Sequence, residues 1–122
     1  MKKVILAAVT LTALASGSAN ATVSTTTVCG GGAAGNGSVV NSATDNFVRV
    51  PFTPKCSANV HLSYEDGNTY FRVGSASAKG KSRFAGSTAG GAVVNAGSCT
   101  AATGCTSSDA TTANGSSYAP TS

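Results

Sequence analysis

Asn59-Val60-His61-Leu62-Ser63-Tyr64-Glu65-Asp66-Gly67-Asn68-Thr69-Tyr70-Phe71-Arg72-Val73 is the stretch on which the fold turns. Val60, Leu62 and Tyr64 alternate with Asn59, His61 and Ser63, the period-two pattern of a half-buried strand. Glu65-Asp66-Gly67-Asn68 then supplies turn formers, and Tyr70-Phe71-Arg72-Val73 runs back. The reading is a β-hairpin. Phe71 and Val73 join Val60, Leu62 and Tyr64 on the core face, leaving His61, Tyr70 and Arg72 outward.

Weaker strand signals flank this unit. Thr22 to Val28 is Thr/Val-rich and reads as a first strand, followed by a flexible loop from Gly30 to Gly37 that holds five glycines. Pairing of that strand within its own sheet is favoured over exchange into another subunit. Val39-Val40 starts another short strand. Phe47-Val48-Arg49-Val50-Pro51-Phe52 is strand-like, but Pro51 has no N–H for a ladder, so this strand lies at an edge or stops there. Lys81 to Phe84 and Ala92 to Val94 read as two more strands around a Gly86–Gly91 turn. From Gly97 to Ser122 the only large apolar side chain is Tyr118, so this tail is expected to be largely disordered.

The first 21 residues have a different character. Lys2 and Lys3 precede an apolar run from Val4 to Ala15, and Ala19-Asn20-Ala21 offers small residues at both positions that a signal peptidase inspects. This reads as a bacterial secretory signal cleaved after Ala21, which leaves a mature chain starting at Thr22 with no transmembrane segment. The expected organisation is a signal at 1–21, a small β domain at 22–96 and the Ser/Thr/Ala-rich tail at 97–122. Location is then periplasmic, or secreted and cell-surface.

The mature chain has no Ile, Met or Trp and a single leucine, Leu62, so its interior must come from valines, alanines and a few aromatics. Branching at Cβ and aromatic bulk suit a pleated surface better than a helix. The class is all-β: a small antiparallel sheet or sandwich with Gly/Ser/Thr-rich loops. Six cations against four anions leave the mature chain at +2, too little to argue for nucleic-acid binding.

Four cysteines behind an export signal favour disulfides over metal ligands or catalytic thiols, and a thin core needs such staples. Of three possible connectivities, Cys29–Cys56 with Cys99–Cys105 closes the shortest loops and is favoured on that ground.

Four groups of residues invite a chemical reading. Lys79, Lys81 and Arg83 share one face if they lie on a strand. They would then bind an anionic glycan or lipid such as lipopolysaccharide, or simply shield an edge strand from other chains. Gly74 to Ser82 approaches a phosphate-binding loop, but five residues separate its glycines where four are needed, so no nucleotide is expected. His61 is the only histidine, and its sequence neighbours Ser57, Ser63, Glu65 and Asp66 do not establish a catalytic arrangement. One histidine without a CxxC pair does not make a zinc site either. No cofactor or metal is implied. The expectation is a non-enzymatic structural or interaction protein of the cell envelope or extracellular surface, such as a fimbrial or matrix-like subunit. Its partners would be further copies or another envelope protein. The alternative is a small module that binds an anionic envelope component.

Overall fold

The computed structural model describes residues 23–122, so the signal reading of Met1–Ala21 and the expected start at Thr22 lie outside the described residues. The expected hairpin forms the centre. Strands β4 (Val60–Asp66) and β5 (Phe71–Ser77) pair antiparallel, with Leu62 opposite Ser75 and Tyr64 opposite Val73. Their turn is tightened by the Gly67 amide donating to the Tyr70 carbonyl (3.0 Å) and by Asn68 at φ 68°, a conformation that asparagine tolerates.

The rest of the sheet grows from this hairpin in both directions. β6 (Ser82–Ser87) and β7 (Val94–Ser98) continue the meander, while β1 (Thr26–Gly30) adds to the free side of β4, giving the order β1-β4-β5-β6-β7. Between β1 and β4 the chain makes an excursion. There β2 (Gly35–Asn36) pairs with β3 (Lys55–Cys56), and an isolated bridge joins Val40 to Phe52. Phe47 to Phe52 is therefore not a strand: only Phe52 enters a bridge, as the missing Pro51 N–H would require.

Both faces of the central strands are covered. On one face Val28, Cys29, Val40 and Tyr64 form a core with Val48, Leu62, Phe71 and Val73, and the Tyr64 and Phe71 rings stack with centroids 5.2 Å apart. Disulfides join Cys29 to Cys56 and Cys99 to Cys105, as the spacing argument favours. The first closes the excursion over this core.

The opposite face corrects the expectation for the tail. Residues 97–122 carry an α-helix, α1 (Ser107–Asn114), packed on β4, β5 and β6, and the expected boundary at 96/97 falls inside β7. Its contact surface is made of small groups: Ala110 and Ala113 meet Ala76 and Ala85, and Ala119 beyond the helix is also buried. Gly74 permits the close approach. A Cβ there would collide with the Ala110 carbonyl oxygen and the Asn114 amide. Lack of large apolar residues thus signals a thin helix–sheet interface here, not disorder.

The same helix corrects the outward assignment of His61 and Arg72. The alternation of faces is as expected, yet the face away from the main core is covered by α1 and the C-terminal residues, so His61 is buried and Arg72 half-buried. His61 also lies against Gly31, where an added Cβ would meet its ring nitrogens at 2.6 and 2.8 Å.

Candidate interaction surfaces

Lys79, Lys81 and Arg83 do not form one stripe. β6 begins only at Ser82, after a turn in which the Gly80 amide donates to the Ser77 carbonyl (2.9 Å), so strand alternation does not extend back to Lys79. Lys79 and Lys81 are exposed in that turn. Arg83 instead faces α1, where its Nε donates to the Ala96 carbonyl (3.2 Å) and its guanidinium stands 3.7 Å from Asp109.

Asp109 is a structural carboxylate. It occupies the third position of α1 and accepts from the Thr106 amide (2.8 Å) and hydroxyl (3.0 Å), and from the Thr100 amide (3.0 Å) and hydroxyl (2.7 Å). Hydrogen bonds from Thr106 and Thr100 hold its pKa well below the usual carboxylate range despite the opposing effect of burial. It ties the Cys99–Cys105 loop to the helix start.

A second polar network lies at the other end of the covered face. Glu65 accepts from Tyr70 Oη (2.6 Å) and from Arg72 Nη2 (2.8 Å), and Arg72 Nη1 reaches the Ala119 carbonyl (3.4 Å). Burial opposes ionisation of Glu65, but the bonds from Arg72 and Tyr70 and the charge of Arg72 outweigh it and lower the pKa. The bond to Glu65, assisted by burial, raises that of Tyr70. This network fastens the C-terminal segment to the sheet.

His61 is buried on the face of β4 that α1 covers. Its Nδ1 and the Ser63 hydroxyl are buried without partners, and so are both side-chain polar atoms of Asn114 above them. Ser63 is 1% exposed and Asn114 is fully buried. No group of three or more metal-binding side chains occurs among the described residues. A cleft of about 240 Å³ is lined by Val23, Tyr64 and polar residues that include Asn41, Asn46 and Asp66. Its one carboxylate is already engaged, because Asp66 accepts from the amides of Phe47 (2.7 Å), Val48 (3.0 Å) and Asn68 (3.1 Å).

The open feature is the β6–β7 half of the main-core face. The excursion between β1 and β4 covers β4 and β5 but leaves Phe84 and Val93 exposed, the latter at 70%. Gly86 stands opposite Val73 with Val93 packed close over it, and beside it runs an apolar groove of about 190 Å³ walled by Phe71, Val73 and Val93. A cavity of about 150 Å³ already accommodates a benzene ring. The sequence signal for this site is Gly86 two residues beyond Phe84, hence on the same face of a strand.

Both sheet edges are blunted. On β1, Val28 is engaged by the Ser38 amide, which donates to its carbonyl (3.0 Å). On β7 a bulge turns Ala96 so that its carbonyl accepts from Arg83, and the Gly97 amide donates to Asn95 Oδ1 (2.8 Å). Comparison with known protein families, curated proteins and solved structures finds no match.

Proposed function

We propose that this chain is an exported, non-enzymatic structural or interaction protein of the cell envelope or extracellular surface, a fimbrial or matrix-like subunit that associates with copies of itself. The observation that carries the reading is the open apolar half-sheet formed by Phe84, Val93 and the groove beside them. A sheet apolar on one side is half of a sandwich, and a second copy stacked on the same patch completes it with two-fold symmetry. Since the edges are blunted, association by face is favoured over strand addition. The Lys2-Lys3, Val4–Ala15 and Ala19-Asn20-Ala21 pattern supports export, and two disulfides are compatible with an oxidising location.

The test is particle size by light scattering across concentration. Phe84→Ser/Val93→Ser is expected to convert a self-associating protein into a monomer, and Lys79→Glu/Lys81→Glu to leave association intact. A wild-type protein that stays monomeric at high concentration overturns the reading. The second reading, binding of an anionic glycan or lipid by the turn, draws on the exposure of Lys79 and Lys81. It requires salt-sensitive retention on an anionic resin that Lys79→Glu/Lys81→Glu abolishes.

A further inference from the structure

The excursion between β1 and β4 carries a second exposed apolar surface, made of residues other than Phe84 and Val93. Within six residues Phe47, Val50, Pro51 and Phe52 are all exposed, Val50 at 74% and Phe52 at 48%. This is costly for a chain with only four phenylalanines. The exposure does not come from a loose loop. Asp66 holds the amides of Phe47 and Val48, Val48 is packed against the main core, and Val40 and Phe52 exchange backbone hydrogen bonds of 2.9 and 3.2 Å. Arg49, Val50 and Pro51 therefore arch between two fixed points.

Charge accompanies the apolar groups. Arg49 at the arch and Lys55 beyond it bond only neutral oxygens, of Thr44 and Asn36, whereas Arg72 and Arg83 elsewhere face carboxylates. Asp45 is the one acid in the segment, and Asp66 beneath it is already occupied by amides. Exposed aromatic and aliphatic side chains interleaved with unpaired cations fit the headgroup region of a bilayer, where apolar groups enter the acyl boundary and cations meet anionic phosphates.

We propose that the arch formed by Phe47, Arg49, Val50 and Phe52, with Lys55 beside it, docks the protein on the surface of a membrane containing anionic lipid. Apolar insertion supplies one part of the affinity, and attraction to the headgroups supplies the other. Neither suffices alone.

The test is co-sedimentation of the disulfide-bonded protein with vesicles of phosphatidylcholine mixed with phosphatidylglycerol, compared with pure phosphatidylcholine. Binding is expected only to the mixed vesicles and is expected to weaken with salt. Val50→Ser, at a site too exposed to affect folding, is expected to weaken it about tenfold. Arg49→Gln/Lys55→Gln is expected to weaken it about thirtyfold, and Lys79→Gln/Lys81→Gln to leave it unchanged. The protein has no tryptophan, so Val50→Trp reports on this site alone, with its emission shifting to the blue on the mixed vesicles. Absence of binding, equal binding to both vesicle types, or binding insensitive to Val50→Ser overturns the proposal. So does a Val50→Ser variant that changes particle size in solution and not vesicle binding, which would mark the arch as a protein interface. Phe84→Ser/Val93→Ser separates the two readings, since it is expected to abolish self-association and spare vesicle binding.

Discussion

Gly74 carries more of the fold than any large side chain, because the Ala110 carbonyl and the Asn114 amide occupy the space a Cβ would need. Gly74→Ala is expected to push α1 off the sheet and to cost about 3 kcal/mol or more, measured as a lower denaturation midpoint with loss of amide protection in residues 107–114. Asp109 sets the acid limit of the same region. Its folded pKa lies below its ordinary value of 3.8, so it contributes stability at neutral pH that is lost as the pH falls through the unfolded and then the folded value. Glu65 acts in the same direction from its ordinary 4.5. Asp109→Ala removes four hydrogen bonds and is expected to cost on the order of 2–3 kcal/mol at neutral pH. Its stability is expected to fall less steeply than wild type below about pH 4. An unchanged acid limb would assign the sensitivity elsewhere.

At the scale of elements, the two bridges do unequal work. Cys29–Cys56 joins β1 to β3 across a sequence separation of 27, and Cys99–Cys105 spans 6. Loop-closure entropy puts their contributions at about 3.6 and 2.4 kcal/mol. In a domain of this size, Cys29→Ala/Cys56→Ala is expected to lower Tm by on the order of 15–25 °C, more than Cys99→Ala/Cys105→Ala does. Calorimetry of both variants checks the order. The eight-residue α1 depends on its surroundings even more. A helix this short is unstable alone, and one whose apolar contacts come from Ala110 and Ala113 gains little area per residue, so it depends on the close approach that Gly74 allows on the sheet beneath it. Its periodicity was illegible for the same reason: Ala110 and Ala113 do not stand out in a tail already rich in alanine.

Across the whole molecule the sheet is shielded unevenly. The β1–β4 half lies between the disulfide-closed excursion and α1, whereas one face of β6 and β7 remains open. Phe84→Ser/Val93→Ser is therefore expected to change stability by less than about 1 kcal/mol while removing self-association, since partly exposed side chains contribute little to the monomer. Denaturant midpoints measured beside the scattering experiment separate these effects. A large loss of stability would make Phe84 and Val93 part of the core instead of a docking surface.

The local sequence determined what nearest neighbours decide. Alternation from Val60 to Tyr64 and the Glu65–Asn68 turn specified the central hairpin, and the short cysteine separations favoured the observed bridges. Period-two patterning also assigned His61 and Arg72 to the correct face. It was silent on what covers that face. Tertiary structure alone decided that α1 would lie there, burying His61 and drawing Arg83 away from Lys79 and Lys81 toward Asp109. It also decided that Phe84 would stay exposed and Leu62 would not. Alternation is a property of one strand, whereas burial depends on which distant segment comes to rest against it. In a chain of small residues, that choice rests on how closely backbones can approach.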